Sequence, residues 1–198
     1  MADAPIAPAF LVRIPISDRA GHYACHRKVY EICDRSTRPL WRRCPGYILA
    51  LTRVAPESVE SRPYSPAPTV GQETRFDLVA EITAARRKEG QTESRRCDPV
   101  LEARFANPHR SYAELAADIG RPWLERRGQR LGFELLDLHR CEYEVVEFVR
   151  QSQPLRVGAV RYAGRLRVTG PTKFTSAMLD GIGHGKAWGC GLLLCFGV

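Results

Sequence analysis

One short stretch near the start of the chain carries the side chains best suited to chemistry. Tyr23 and His26 are three residues apart, and Arg27 and Lys28 follow directly. Residues at i and i+3 of a helix project from one face, so the two rings can reach the same atom. An unperturbed histidine titrates between pH 5 and 8 and can act as acid or base. Cations beside it can neutralise charge that develops on a phosphorus atom.

These four groups suffice for metal-independent cleavage of RNA, because the RNA supplies its own nucleophile, the 2′-hydroxyl. In this interpretation His26 transfers the proton, Tyr23 orients or stabilises the phosphate, and Arg27 and Lys28 offset its charge. The spacing leaves open which of His26 and Tyr23 is the acid and which is the base. A Tyr/His pair on a helix is also common as a surface or packing feature, so the spacing alone does not assign catalysis.

A second stretch, close to the end of the chain, is rich in glycine and contains Lys186. Glycines at nearly alternating positions let the backbone adopt positive φ, and amides that point one way form an anion-binding concavity. The residues expected to hold an RNA backbone are Gly181, Gly183, His184, Gly185 and Lys186. A helix precedes these glycines and a strand follows them, the reverse of a Rossmann or P-loop motif. The alternative is a structural turn that only links the helix to the last strand.

The charge balance favours an anionic partner. The chain of 198 residues carries a net charge of +8, with an ordinary 44% of hydrophobic residues. Lysine occurs only at Lys28, Lys88, Lys173 and Lys186, so most of the positive charge is arginine. Arginine's planar fork suits bidentate phosphate contacts and stacking on bases. We therefore expect an RNA or DNA partner, with Arg150, Arg156 and Arg161 as the arginines best placed to contact an RNA stem.

The cysteine pattern limits which cofactors and which cellular compartment can be expected. Seven cysteines are scattered without a C-x-x-C pair, which argues against zinc and against a disulfide framework. No cluster has metal-ligand spacing, so we expect neither a metal nor another cofactor. The first residues lack a signal peptide's basic and long apolar regions, and no apolar run is long enough to span a membrane. A cytoplasmic protein without membrane contact is the expectation.

Hydrophobic periodicity predicts a β-α-β-β-α-β order in the first half of the chain. We expect strands at Ala9 to Ile16, Leu40 to Cys44, Tyr47 to Val54 and Thr74 to Thr83, with a helix over Ala20 to Cys33 and helical turns at Pro56 to Ser61. The helix should bury the stripe Ala20, Ala24, Val29, Ile32 and Cys33. The polar stretch Ala84 to Arg96 is expected to be a linker.

The second half of the chain is predicted to repeat this order, which gives an α+β fold of two tandem ferredoxin-like (RRM-like) domains. We place them at residues 1–88 and 89–198. Strands are expected at Cys97 to Leu101, Phe133 to Leu138, Glu142 to Val149, Val157 to Val168 and Cys190 to Phe196. Helices are expected between Ser111, as N-cap, and Arg127, and over Thr172 to Asp180.

The chain resembles a known family in these same places. Its terminal loop looks like the glycine-rich loop of the CRISPR-associated RNA-binding superfamily, and Tyr23-Ala24-Cys25-His26 matches the Tyr-x-x-His motif of the CasE-type endoribonucleases in place and order. Weaker similarity covers four other stretches: Arg75 to Thr83, Arg95 to Cys97, Trp123 to Arg127 and Arg161 to Leu166. Some relatives carry a lysine where this chain has Glu31, so the third catalytic group stays open, with Lys28 or Arg27 as candidates.

The resemblance implies a function. A CasE-type enzyme binds the stem-loop of a CRISPR repeat and cuts the precursor RNA on the 3′ side of the stem. It leaves a 2′,3′-cyclic phosphate and a 5′-hydroxyl, and stays with its product and other subunits in a multisubunit interference complex. The rival interpretation is a non-catalytic RNA-binding scaffold subunit of the same superfamily, which would share the fold, the charge and the loop. Tyr23 and His26 discriminate between the two, because a scaffold does not need them on one face.

Overall fold

The computed structural model describes residues 8–87, 94–150 and 152–197. The elements follow one another as β1 (Phe10–Pro15), α1 (His22–Ile32), β2 (Leu40–Cys44), β3 (Tyr47–Thr52), β4 (Ser61–Pro63), β5 (Glu73–Ala80), β6 (Ala84–Arg87), β7 (Ser94–Cys97), α2 (Pro99–Ala106), α3 (Tyr112–Leu115), α4 (Arg121–Leu131), β8 (Phe133–Arg150), β9 (Gln153–Val168), α5 (Pro171–Asp180) and β10 (Leu193–Phe196). A π-helical turn joins α3 to α4, and short 3₁₀ turns follow α1 and precede β10.

Two antiparallel sheets carry the same strand order. The first is β2-β3-β1-β4 and the second is β10-β5-β9-β8. Counted within each half, both read 2-3-1-4 or its reverse, the arrangement of a ferredoxin-like β-α-β-β-α-β unit. In the first half, turns replace the second helix between β3 and β4. The predicted α+β fold of two ferredoxin-like domains is therefore confirmed.

Helix α1 packs on the first sheet. Its buried residues are Cys25 and Val29, with Cys33 next after its end, and they contact Val12 and Trp41 of the sheet. The predicted stripe is correct at Val29 and Cys33 but wrong at Ala24, which is exposed. Burial of Cys25 instead turns the helix so that its neighbours Tyr23 and His26 lie at the edge of the core.

The strand predicted at Thr74 to Thr83 does not belong to the first sheet. As β5 it pairs with β9 and β10, and the short β4 takes the fourth position beside β1. The alternating residues Phe76 and Leu78 of β5 are buried in the core of the second half. Residues 53–60 form turns, so the helical turns expected there are wrong. The division at residues 88 and 89 stays a prediction; the strand pairing favours one between Pro63 and Glu73.

The predicted linker is partly structured. Its described ends, β6 and β7, pair as an antiparallel hairpin, and residues 88–93 lie outside the described part of the chain. The prediction of a strand at Cys97 to Leu101 is wrong, because α2 begins at Pro99. Asp98 accepts hydrogen bonds from the amides of Val100 and Leu101, and Pro99 occupies the first helical position. An N-cap aspartate followed by proline favours a helix start.

The second half otherwise follows its periodicity. Ser111 is the N-cap of α3, as predicted, and it forms a capping box with Glu114; α5 and β10 lie where they were expected. The two strands expected between Phe133 and Val149 are one long strand, β8, with register shifts at Leu135/Asp137 and Leu138/Arg140. Such irregularities bend a strand without ending it. The long β8–β9 hairpin reaches the first half of the chain, where Phe148 meets α1.

An ion pair and an apolar cluster join the two domains. Arg42 of β2 donates from Nη2 to Oδ1 of Asp77 on β5 at 2.6 Å, and the Arg42 side chain is only 6% exposed. Nearby, Leu40 and Leu51 of the first sheet pack against Leu179 and Leu192. A buried charge is tolerable only when it is paired. Asp77 therefore makes it possible for Arg42 to lie in this junction.

The Asp77→Ala substitution should destabilise the protein by about 3 kcal/mol, because it leaves Arg42 buried without its carboxylate. Urea unfolding followed by circular dichroism measures the change. The matched variant Arg42→Met/Asp77→Leu removes both charges and should recover most of the stability. Equal stability of the single and double variants would show that the buried charge does not matter here.

Candidate active site

Helix α1 presents Tyr23 and His26 on one face, as their spacing predicts. Their ring centroids lie 5.8 Å apart, with an interplanar angle of 13°. Tyr23 also stacks on Phe148 of β8, at 6.5 Å and 3°. The two candidate catalytic rings are thus held between their own helix and a strand of the other domain.

A hydrogen bond to the glycine-rich loop orients the imidazole of His26. Its Nδ1 lies 2.8 Å from the carbonyl oxygen of Ala187 in the glycine-rich loop. A carbonyl can only accept, so Nδ1 must be the protonated nitrogen of the neutral ring. Nε2 then carries the lone pair. Trp188 stacks on the same imidazole at 4.3 Å, and Tyr30 lies 4.7 Å from it.

Two further donors of the first domain hold the same piece of loop. The Trp41 indole Nε1–H donates to the Ala187 carbonyl at 3.2 Å, and Nε2 of His22 donates to the next carbonyl, that of Trp188, at 2.8 Å. Trp41 is completely buried. Two successive carbonyls therefore accept three aromatic N–H groups from α1 and β2.

Glycine is required where the loop turns. Gly185 and Gly189 flank the 3₁₀ turn at Lys186–Trp188, with φ of 65° and 77°. A Cβ on Gly189 would lie 3.0 Å from the Trp41 ring. Positive φ is costly for residues with a side chain. These two glycines let the loop aim the Ala187 and Trp188 carbonyls at the first domain.

Burial lowers the pKa of His22 below its ordinary value of 6.5. Its bond to Trp188 acts in the opposite direction, while electrostatic interaction with Arg43 and His26 lowers the pKa further. Desolvation disfavours the charged form of a buried histidine. Burial therefore favours the neutral form of His22, which serves the site as a hydrogen-bond donor.

An open cleft of about 580 Å³ lies in front of these rings. Three arginines stand around it, and its lining consists of Tyr23, His26, Arg27, Tyr30, Glu31, Arg35 and Arg150. The Arg150 guanidinium lies 6.0 Å from the centre of the Trp188 ring. The cleft thus combines an oriented imidazole, a phenol and positive charge, which suits an anionic substrate.

Lys28 is placed differently from the sequence expectation. Its Nζ forms an ion pair with Glu31 at 3.3 Å, and the lining of the cleft does not include it. Of the expected cations, Arg27 and Arg150 are in the cleft. Sequence reasoning did not single out Tyr30 or Arg35. Tyr30 is four residues after His26, so helical periodicity contains the signal, whereas Arg35 follows the end of the helix.

The glycine-rich loop uses many of its amides internally. Ile182 donates to Gly191, Gly191 to Val79, and His184 to Glu81. Lys186 donates from Nζ to the Asp180 carbonyl at 2.6 Å, at the end of α5. Contact of Gly181, Gly183, His184, Gly185 and Lys186 with RNA stays a prediction. What the structure adds is a structural role, since the loop braces the histidines through its carbonyls.

The other two predicted arginines lie apart from the cleft. Arg156 pairs with Glu147 at 2.8 Å across the β8–β9 hairpin. Arg161 lies 3.6 Å from Asp77, beside the junction of the two domains. The two carboxylates partly neutralise the arginine charge that would otherwise attract a phosphate. Their contact with RNA remains untested.

Two observations concern metals and membranes. Within residues 8–87, 94–150 and 152–197, the structure brings together no group of three or more His, Cys, Asp or Glu side chains able to hold a metal ion. No helix in the described part of the chain has both the length and the apolar character needed to cross a membrane.

Comparison with known proteins gives this site a context. A family model described as CRISPR associated protein matches residues 10–195, nearly the whole chain. The chain belongs to this family. That membership confirms the resemblance inferred from the terminal loop and from Tyr23 and His26.

Several relatives are similar over almost their full length. The CRISPR-associated endoribonuclease Cse3 of Thermus thermophilus is 28% identical, over 89% of this chain and 90% of its own. A structure of CRISPR endoribonuclease Cse3 bound to 19-nucleotide RNA aligns with a TM-score of 0.71 and 26% identity, covering 96% of this chain and 98% of the other. Cas6e of Escherichia coli K-12 aligns at 0.67 with 19% identity, covering 96% and 100%, and supports the fold alone.

Because burial lowers the pKa of His22, stability should depend on pH through this residue. The unfolded ring takes up a proton near pH 6.5, and the folded ring does so only at lower pH. Below about pH 6.5 the unfolded state therefore binds more protons, and stability falls as the pH falls. Thermal unfolding at a series of pH values should show a lower Tm at pH 5.5 than at pH 7.5.

The His22→Gln variant is the matched control, since its amide N–H can still donate to the Trp188 carbonyl but does not titrate. Its Tm should change less between pH 7.5 and 5.5. A pH dependence identical to that of the unsubstituted protein would show that His22 is not the titrating group.

Proposed function

We propose that this protein is a CRISPR endoribonuclease that cleaves precursor RNA within the repeat. The observation that carries the proposal is the bond between Nδ1 of His26 and the Ala187 carbonyl, which leaves Nε2 as the proton-transfer atom beside Tyr23. Relatives named endoribonuclease Cse3, among them one bound to an RNA that represents a pre-cleavage complex, support it.

The proposed reaction uses the RNA as its own nucleophile. The 2′-hydroxyl oxygen forms a bond to the adjacent phosphorus while the bond from phosphorus to the 5′-oxygen breaks. One proton leaves the 2′-oxygen and one reaches the departing 5′-oxygen, so the products are a 2′,3′-cyclic phosphate and a 5′-hydroxyl. Nε2 of His26 performs one transfer, and Tyr23 donates a hydrogen bond or performs the other. These residues and the RNA supply every group that this reaction needs.

Arginines take the charge-stabilising role in this proposal. Glu31 stands where some relatives have a lysine, and Lys28 is bound to it. Arg27, Arg35 and Arg150 line the cleft and offset the charge that grows on the phosphate oxygens. The guanidinium fork suits a phosphate better than a single ammonium does.

The substrate and partners follow from the same family. We propose that the RNA is the stem-loop of a CRISPR repeat, cut on the 3′ side of its stem, and that the enzyme acts in the cytoplasm with the other subunits of a CRISPR interference complex. A non-catalytic scaffold would have no use for an imidazole that lines an open cleft and whose tautomer is fixed by a hydrogen bond. That geometry favours the enzyme over the scaffold.

Replacing His26 should abolish most cleavage of a cognate repeat hairpin. Loss of a general acid or base lowers the rate by roughly 10² to 10⁴. His26→Asn is the sharper variant, because its amide N–H can still donate to Ala187 while the equivalent of Nε2 is lost. We expect single-turnover cleavage to fall at least about a hundredfold in both His26→Ala and His26→Asn, with RNA affinity near native.

Two substrate controls accompany this test. A 2′-deoxy nucleotide placed just 5′ of the scissile phosphate removes the nucleophile and should stop cleavage, whereas excess EDTA should have no effect. Near-native cleavage by the Asn variant would refute the role of His26. Cutting of the deoxy substrate, or loss of activity in EDTA, would refute the 2′-hydroxyl mechanism.

Trp41→Phe tests whether the loop carbonyl positions His26. Phenylalanine keeps the buried ring but removes the Nε1–H that binds Ala187. Since small misplacements of a catalytic group are costly, kcat should fall by about tenfold with little change in KM. Nitrogen chemical shifts of the His26 ring should show a mixture of tautomers. An unchanged tautomer with unchanged kcat would mean that Trp41 has a packing role only.

A further inference from the structure

Tyr30 and Arg35 lie close together at the end of α1, where both line the cleft. Tyr30 is one helical turn after His26, and the centroids of their rings are 4.7 Å apart. Arg35 follows the helix, and its Nε donates a hydrogen bond to the backbone carbonyl of Tyr30 at 3.0 Å. Tyr23 and His26 belong to the same lining. We call these two residues the Tyr30–Arg35 pair.

The guanidinium of Arg35 is available for a phosphate. Its Nε hydrogen bond anchors the group and, within the described part of the chain, leaves both terminal nitrogens without a partner. The acidic residues next to it in sequence are engaged elsewhere. Glu31 pairs with Lys28 at 3.3 Å. Asp34 accepts hydrogen bonds from the amide and the hydroxyl of Ser36, both at 2.8 Å. Two parallel N–H groups match two oxygens of one phosphate.

The hydroxyl of Tyr30 is available as a hydrogen-bond donor. Burial raises the pKa of this phenol above its ordinary value of 10.0, while the positive charges of Arg35 and Arg38 lower it. The phenol therefore keeps its proton at neutral pH, and it lies within electrostatic reach of the Arg35 guanidinium. Its ring packs against the core of the first domain, which restricts its motion. The pair thus offers O–H and N–H donors from neighbouring positions of the cleft.

The reaction has a use for such donors. Tyr23 and His26 serve the 2′- and 5′-oxygens, where protons leave and arrive. The two non-bridging oxygens gain negative charge in the transition state, and donors aimed at them lower the barrier. Of the other arginines in the cleft, Arg27 projects about 100° away from His26 around the helix. The Arg150 guanidinium lies over the Trp188 ring, 6.0 Å from its centre.

We propose that the Tyr30–Arg35 pair binds the non-bridging oxygens of the scissile phosphate and stabilises their charge in the transition state. The proposal rests on the proposed function, because the pair shares its cleft with His26. Neither residue transfers a proton, since a guanidinium does not give one up in a protein and the phenol stays protonated. Hydrogen bonds that strengthen as the oxygens gain charge act on the rate more than on RNA affinity.

The test compares cleavage of a cognate repeat hairpin by the variants Tyr30→Phe, Arg35→Ala and Arg35→Lys, at saturating protein. Loss of one such donor lowers a rate by roughly 10² to 10³. We therefore expect cleavage to fall at least about a hundredfold in Tyr30→Phe and in Arg35→Ala. Arg35→Lys should fall less, because it keeps the charge and loses only the fork.

Binding and a matched arginine provide the controls. RNA affinity, measured by fluorescence anisotropy on a hairpin with a 2′-deoxy nucleotide at the cleavage site, should stay near native in all three variants. Arg62→Ala removes an arginine of β4 that is paired with Glu60 at 3.2 Å and is not part of the cleft lining. This variant should cleave at the native rate.

Two further measurements separate contact with the phosphate from a structural role. Sulfur in place of one non-bridging oxygen weakens a hydrogen bond at that position, so each phosphorothioate diastereomer reports on one oxygen. The unsubstituted protein should cleave such a substrate several-fold more slowly, and each variant should lose this sensitivity at the oxygen that its missing group held. The pH dependence of the rate should keep its shape in Tyr30→Phe, because the proton-transfer groups are untouched.

Native cleavage rates in Tyr30→Phe and Arg35→Ala, together with native Tm values, would overturn the proposal. Sulfur effects that the variants leave unchanged would overturn it too. An altered pH profile in Tyr30→Phe would assign the phenol to proton transfer and would also contradict it. These outcomes are separate from the proposed function, which fails if the unsubstituted protein does not cut the hairpin or if His26→Asn cuts it at a near-native rate.

Discussion

The carbonyl oxygen of Ala187 is the point on which the site depends. It accepts hydrogen bonds from His26 of α1 and Trp41 of β2, both in the first domain, although it belongs to the last segment of the second. The loop that presents it is bound in turn to β5 through the Gly191 amide and the Val79 carbonyl. The orientation of the imidazole is thus a property of the assembled molecule. Neither ferredoxin-like unit could fix it alone, because one supplies the ring and the other supplies the acceptor.

This division explains why the junction between the domains is polar as well as apolar. Arg42 follows Trp41 on β2 and is paired with Asp77 of β5, so the strand that holds the loop is itself tied to the second sheet. Apolar contacts alone are not directional, whereas a short charge-assisted bond fixes register. A shift between the domains would move the Ala187 carbonyl relative to α1. The buried ion pair therefore helps to keep the imidazole and its acceptor in line.

Sequence alone predicted much of this site, because the part on α1 depends only on the spacing of neighbouring residues. The spacing of Tyr23 and His26 sets their shared face whatever the rest of the chain does, and the Ser111 capping box marks a helix start by itself. The sheet membership of β5 was not predictable, since its alternation fits either sheet. The direction of the loop's peptide groups was not predictable either. Glycines show that the backbone is free to turn, but not whether its amides or its carbonyls face the site.

The distribution of charge shows how one basic protein can be selective about where an anion binds. A net charge of +8 does not make every arginine available. On β9, Arg165 and Arg167 are neutralised by carboxylates of neighbouring strands, and at the junction Arg42 is neutralised by Asp77. Arg27, Arg35 and Arg150 stand around the cleft, and no described carboxylate forms an ion pair with them. Ion pairs thus weaken the attraction for an anion on β9 and at the junction, whereas the guanidinium groups beside His26 keep theirs.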